Sequence, residues 1–142
     1  MSRRSLAVLD YGAGNLRSVQ NALAHLGADH FITSNPSDLD SAEGLIFPGV
    51  GEASSAMTVL RRTGLDKAIA AFIASGRKTL GICIGCQAVF ESSEEGDTEC
   101  LGILPGTVRR FLPAPGLKVP HMGWNQVRFV VPHPVFEGLE QG

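Results

Sequence analysis

Short, uninterrupted apolar runs alternate with segments of helical periodicity over roughly the first 90 residues, and this alternation admits few folds. Leu6–Leu9 is one such run, closed by Asp10. A strand with one wet face alternates polar and apolar residues; a continuous run belongs to a strand buried on both faces of a parallel sheet. Tyr11-Gly12-Ala13-Gly14-Asn15 then supplies a glycine-rich turn. Leu16, Val19, Leu23 and Leu26 follow at helical spacing, with a stop at Gly27. His30–Thr33 reads as a second, shorter strand broken by Asn35-Pro36, and Gly44–Phe47 as a third that leads into Pro48-Gly49-Val50-Gly51. Helices are expected over roughly 53–61 and over Leu65–Ser75, a fourth strand over Thr79–Ile82 and a short helix over Gly85–Glu91. Such an order implies an α/β fold, a mostly parallel sheet with helices on both faces. Beyond Gly96, Val108–Leu112 and Gln126–Val131 read as strands joined by Pro- and Gly-rich loops in a hairpin-like extension. No repeat, low-complexity tract or linker divides the sequence, so residues 1–142 are read as a single domain.

Composition narrows the function classes. A net charge of -2 and only short basic pairs, Arg61-Arg62 and Arg109-Arg110, give no reason to expect nucleic-acid binding. No apolar run reaches the roughly 18 to 20 residues of a membrane span. The basic opening and the brief apolar stretch ending in Asp10 are too short for a signal peptide and suit a first strand. Three cysteines, an odd number, do not make a disulfide framework, and a reducing cytoplasmic setting is expected.

The chemistry concentrates in Leu80-Gly81-Ile82-Cys83-Ile84-Gly85-Cys86-Gln87. A strand ends, a Cys sits at the turn and a helix begins, with Gly two residues before and two after. This is the thiol form of a nucleophile elbow, whose sharp turn brings backbone against backbone. A helix start behind the Cys favours thiolate, and the N–H after it, on Ile84, is free to bind an oxyanion. The same stretch also reads as a buried Cys in an ordinary strand–turn–helix. The second feature is Gly49, Val50 and Gly51, which follow a strand and therefore share the sheet edge with Cys83. A glycine-rich loop there can point N–H groups at a developing oxyanion, or can simply be a turn. Gly12-Ala13-Gly14 lacks the third glycine of a dinucleotide loop, since Arg17 stands in its place. Cys83-x-x-Cys86 has no second pair, and His25 and His30 lie on a different helix and strand, so no metal is expected. A reversible Cys83–Cys86 disulfide that blocks the nucleophile remains a hypothesis.

Taken together, PGVG after one strand and GICIGCQ after another resemble the class I glutamine amidotransferases, a flavodoxin-like family. Gly81, Cys83, Gly85 and Gln87 match that family's nucleophile pattern; Cys86 stands where members often carry Met, and it receives no role. Asp10–Val19, the Phe90–Gly96 stretch and Lys118-Val119-Pro120-His121-Met122-Gly123-Trp124-Asn125 resemble the glutaminase subunit of imidazole glycerol phosphate synthase. The resemblance implies that Cys83 attacks the glutamine carboxamide and forms a thioester, and that ammonia passes to a partner cyclase subunit in histidine synthesis. It implies no metal or organic cofactor. It places Gln87, and more weakly the Glu91–Glu95 stretch, in the glutamine pocket. Asn15, His121, Met122 and Trp124 become candidates for the cyclase interface, although Trp124 also reads as a core aromatic.

The family's catalytic His and Glu lie near its C-terminus, and no residue here matches either. The match runs out at His133–Leu139, which resembles the stretch shortly before that His. The expectation is an incomplete domain with its C-terminal strands missing, a thiol without an evident base, and an apolar sheet face or edge left uncovered. His121 and His133 are the downstream histidines that could stand in as base, each in a Pro-flanked loop. Two other readings stay open: another thiol hydrolase of this fold, and a chain that binds the cyclase without hydrolysing anything.

Overall fold

The structure, a computed structural model, describes residues 5–140. The basic Arg3-Arg4 opening and the final Gly142 lie outside them. Two compact units divide the chain, Met1–Arg110 and Phe111–Gly142.

The first unit is built on four parallel strands: β1 (Leu6–Leu9), β2 (His30–Thr33), β3 (Gly44–Phe47) and β4 (Lys78–Gly81). Their order across the sheet is β2-β1-β3-β4. Leu6 lies opposite both His30 and Gly44, and Gly44 lies opposite Lys78. Three of the strands fall where the apolar runs put them. The fourth begins one residue earlier than expected, and Ile82 leaves the strand while its N–H still donates to the Phe47 carbonyl (2.9 Å).

Side chains alternate across each strand, so the two faces of the sheet fill separately. Ala7, Leu9, Leu45 and Phe47 join a large core with Met57 and Leu60 of α2 (Ala53–Thr63) and Leu65, Ile69 and Phe72 of α3 (Leu65–Ala74). Val8 and Ile46, on the opposite face, pack with Leu23 of α1 (Leu16–His25), where Leu6, Leu16 and Val19 complete a smaller cluster. Helices therefore cover both faces, as the sequence pattern implies. Asn15 starts α1 by accepting the Ser18 N–H on its side chain (3.1 Å). Arg77 ties the segment before β3 to the end of α3. Its guanidinium donates to the Leu39 and Ala42 carbonyls (both 2.9 Å) and lies over the Phe72 ring (3.9 Å).

The short helix after β4, α4, covers Ile84–Gln87 rather than Gly85–Glu91, because the chain turns at Ala88 into a small second sheet. That sheet holds β5 (Ser92–Ser93), β6 (Thr98–Glu99) and β7 (Thr107–Val108). β5 runs antiparallel to β6 and parallel to β7. Arg61 of α2 anchors the hairpin by donating to the Glu99 carbonyl (3.0 Å).

The strand expected over Val108–Leu112 reduces to the Thr107–Val108 pair, and Gln126–Val131 forms no strand in the structure. Apolar alternation makes a strand only where a second strand supplies the ladder, and Gln126–Val131 pairs with none among the described residues. The second unit is organised by local contacts instead. Phe129 stacks on Phe136 with centroids 4.2 Å apart. His133 Nδ1 accepts the Val135 N–H (3.1 Å) at the start of a 3-10 turn over Pro134–Phe136.

Candidate active site

All four strands run the same way, so the loops after β1, β3 and β4 emerge along one edge of the sheet. The strand order sets their sequence there: Tyr11 follows β1, Pro48–Gly51 follows the central β3, and Cys83 follows β4 on the outside. The PGVG loop is thus flanked by Tyr11 on one side and by the elbow on the other.

Cys83 sits between β4 and α4 at φ 55 and ψ -114. A side chain rarely adopts a positive φ, and such a residue stores roughly 1–3 kcal/mol that its surroundings must hold in place. Here close packing supplies the hold. A Cβ on Gly85 would run into the Phe47 carbonyl oxygen, and one on Gly81 would lie 2.7 Å from both N and Cα of Cys86. Both flanking glycines are therefore close-approach positions, as the elbow pattern requires. Cys86 and Gln87 donate their N–H groups to the Cys83 carbonyl (3.0 and 3.1 Å) and close the first turn of α4. Ile84 precedes that pairing, so its N–H points out of the helix start. With only four residues, α4 has little dipole to offer the sulfur.

The Cys83 and Cys86 thiols are exposed and unbonded, whereas Cys100 is buried. Burial pushes the Cys100 thiol up, with Arg61 opposing, which makes it a poor nucleophile. Gln87 is half-buried beside the elbow, Gly49 is buried, and Val50 and Gly51 are exposed. The Glu91–Glu95 stretch is largely engaged in building the small sheet. Glu91 accepts the Gly106 N–H (2.9 Å) and Glu94 the Arg110 N–H (2.8 Å). A cavity of about 360 Å³ opens between the β1 loop and the start of α2, lined by Tyr11, Ala13, Gly51, Glu52 and Ser55. Cys83 does not line it, so the cavity lies to one side of the nucleophile.

Of the four interface candidates, Asn15 is exposed and caps α1. His121, Met122 and Trp124 belong to the second unit, where all three are exposed. Trp124 is fully so. The His121 Nε2 lies 3.5 Å from Asn125 Nδ2. No group of three or more metal-ligating side chains occurs among the described residues.

Tyr11 is the site residue that the sequence reading leaves inside a glycine-rich turn. Its ring meets Phe47 edge-on (centroids 5.7 Å), and a Cβ on Gly49 would overlap its hydroxyl. The signal was its position: the first residue beyond β1's closing Asp10, on the edge that carries the elbow. Burial first, and the charge of Cys83 second, push the Tyr11 hydroxyl up to about 12. The folded chain then keeps a proton that an unfolded chain releases near pH 10. Stability is fully present below about pH 10 and falls as pH rises through about 12, by about 2–3 kcal/mol in all. Tyr11 is the sole tyrosine, so phenolate absorbance follows it alone. Urea midpoints at pH 9 and pH 11.5 should separate for the parent chain and converge for Tyr11→Phe. Equal separation in both would assign the alkaline loss to other groups.

Comparison with known proteins agrees with this geometry. The CobB/CobQ-like glutamine amidotransferase domain family matches residues 11–110. The chain is 51% identical over 138 residues to the imidazole glycerol phosphate synthase subunit HisH of Dehalococcoides mccartyi, a match covering 96% of this chain and 66% of that protein. It is 49% identical to HisH of Microcystis aeruginosa, covering 94% of this chain and 64% of the relative. The chain thus spans just under two thirds of the length of these curated relatives. Among solved structures, a glutamine amidotransferase superposes with a TM-score of 0.64 at 24% identity, over 74% of this chain and 56% of the other. A putative peptidase E from Listeria monocytogenes shares the fold at a TM-score of 0.56 and 16% identity, over 71% of this chain and 63% of that one. With seven tenths of its length matched by the family, and with a strained cysteine elbow on the expected sheet edge, the chain belongs to the CobB/CobQ-like glutamine amidotransferase domain family.

Proposed function

We propose that the chain carries the nucleophile and oxyanion half of a glutaminase that feeds ammonia to a cyclase subunit making imidazole glycerol phosphate. The observation that carries this reading is Cys83, exposed at a positive φ and held there by glycines that admit no side chain. Its sulfur attacks the glutamine carboxamide carbon, and the π electrons of the C=O move onto oxygen. The N–H groups of Ile84 and of the Gly49-Val50-Gly51 loop receive that oxyanion; one well-placed donor contributes about 2.7–4 kcal/mol in the transition state. Collapse expels ammonia once the proton given up by the Cys83 thiol has reached its nitrogen, and leaves a thioester on Cys83. Water then releases glutamate. No step calls on a metal or organic cofactor. Gln87, half-buried next to the elbow, is the candidate for holding the glutamine backbone groups. Asn15, His121, Met122 and Trp124 are offered as cyclase contacts, and their exposure is consistent with that role. A reducing cytoplasmic compartment suits an enzyme with two exposed thiols three residues apart.

The test is covalent capture. A glutamine analogue bearing a chloroketone in place of the amide should label Cys83 and leave Cys86 unmodified, and free glutamine should protect. Ammonia release is measured beside it, with the cyclase subunit and its nucleotide ligand present. Labelling that glutamine does not slow, or that falls equally on Cys86, would remove the glutaminase assignment.

A further inference from the structure

Cys86 has no place in the reaction described above, yet it stands three residues from the nucleophile, and its thiol is likewise exposed and unbonded. Exposure alone would make it an ordinary surface cysteine; its backbone position sets it apart. The Cys86 N–H donates to the Cys83 carbonyl (3.0 Å) and closes a turn whose two ends are the two cysteines. The end Cα atoms of such a turn lie within about 7 Å of each other. A disulfide spans Cα separations of about 4.4–6.8 Å. A second close approach acts in the same sense. A Cβ on Gly81 would lie 2.7 Å from both N and Cα of Cys86, so that residue is folded back against the end of the strand that leads into Cys83. The fold thus holds the two backbones at a separation that a disulfide bridges. Cys100 stays outside the pair: it is buried, and its thiol faces the Thr98 carbonyl (3.7 Å).

We propose, resting on the reading of Cys83 as nucleophile, that Cys83 and Cys86 form a reversible disulfide on exposure to a hydroperoxide, which switches the nucleophile off and shields it from further oxidation. The Cys83 thiolate attacks one oxygen of the hydroperoxide. An S–O bond forms, the O–O bond breaks, and the departing oxygen takes up a proton and leaves as water or an alcohol. The Cys86 thiolate then attacks the sulfenic sulfur. An S–S bond forms, the S–O bond breaks, and the hydroxide takes up a proton and leaves as water. In all, two thiols lose two electrons and two protons, and the hydroperoxide gains both. A dithiol reverses the bond by exchange, and a disulfide between exposed cysteines is open to that attack. Without a neighbouring thiol, a sulfenic acid goes on to sulfinic acid, which dithiols do not repair. The device suits a reducing compartment, where the disulfides that do form are transient.

The experiment treats the parent chain and Cys86→Ser with hydrogen peroxide at neutral pH, followed or not by dithiothreitol. Cleavage after Lys78 and Glu91 isolates residues 79–91, which hold Cys83 and Cys86 without Cys100, for mass spectrometry. Maleimide labelling of Cys83 is the second readout. In the parent, that peptide should lose the mass of two hydrogens. Cys83 labelling should vanish and return in full with dithiothreitol. In Cys86→Ser the peptide should instead gain two oxygens, and dithiothreitol should restore no labelling at Cys83. Cys86→Ala carries the same expectation and separates the lost thiol from any effect of serine on folding. A sulfinic acid in the parent without a disulfide would overturn the proposal. So would equal recovery in the Cys86 variants, or a crosslink that joins Cys100 or two chains. Neither readout uses glutamine, so failure of the glutaminase assignment would show in the chloroketone and ammonia experiments while the disulfide still formed.

Discussion

Gly85→Ala is expected to cost about 3 kcal/mol or more and to lower the melting temperature by about 10 °C, followed by circular dichroism. The new methyl would fall inside contact distance of the Phe47 carbonyl oxygen and 2.6 Å from its carbon. Both belong to backbone in β3, an interior strand of the sheet, and that carbonyl already accepts the Ile82 N–H. A side chain could rotate away from the methyl; β3 cannot. Either α4 lifts off the sheet or the Ile82 bond breaks, and each displaces Cys83. The contrast is Gly27→Ala, where a Cβ meets nothing within 4 Å and the positive φ alone is at issue; that change should cost about 1 kcal/mol. If both variants melt together, α4 does not sit against β3 in the way described.

Replacing Cys83 should split activity from stability. Cys83→Ala and Cys83→Gly both remove the nucleophile, and chloroketone labelling at position 83, which needs only the thiol, should be lost entirely. Their stabilities should differ. Ala inherits the strained backbone at φ 55 and ψ -114, whereas Gly adopts it freely. Gly makes the unfolded chain more flexible, which offsets part of the gain. The net expectation is that Cys83→Gly is the more stable of the two by about 1 kcal/mol, read from urea midpoints. Equal or reversed stabilities would mean that the elbow is not under strain.

The strands were the most legible part of this sequence, for a physical reason. β1 and β3 are interior strands of a sheet covered on both faces, and that burial writes itself as uninterrupted apolar runs at 6–9 and 44–47; β2, at the sheet's edge, carries the broken run His30-Phe31-Ile32-Thr33. The elbow was legible because its geometry excludes side chains at Gly81 and Gly85, leaving a mark in composition. Gln126–Val131 misled because β-propensity describes only one side of a pair, and no second strand joins it. The short α4 was overdrawn because the apolar spacing continues through Val89 and Phe90, which the structure uses to seat the small sheet: Val89 accepts from Ile103 and Phe90 from Gly102. Tyr11 escaped notice because an aromatic among glycines looks like punctuation, and only the order of strands brings it under the β3 loop.

That order of strands has a stereochemical consequence. Seen from the sulfur of Cys83, the PGVG loop lies on one side, over β3, and the other flank is the outer margin of β4, which pairs only with β3 among the described strands. On the proposed reading, the amide oxygen of a bound carboxamide must therefore turn inward, and its nitrogen departs from another quarter. A planar amide has two prochiral faces, and this arrangement offers sulfur only one of them. The handedness of the sheet thus passes into the tetrahedral adduct, whose new centre forms with a single configuration although neither glutamine's amide carbon nor the product's is a stereocentre.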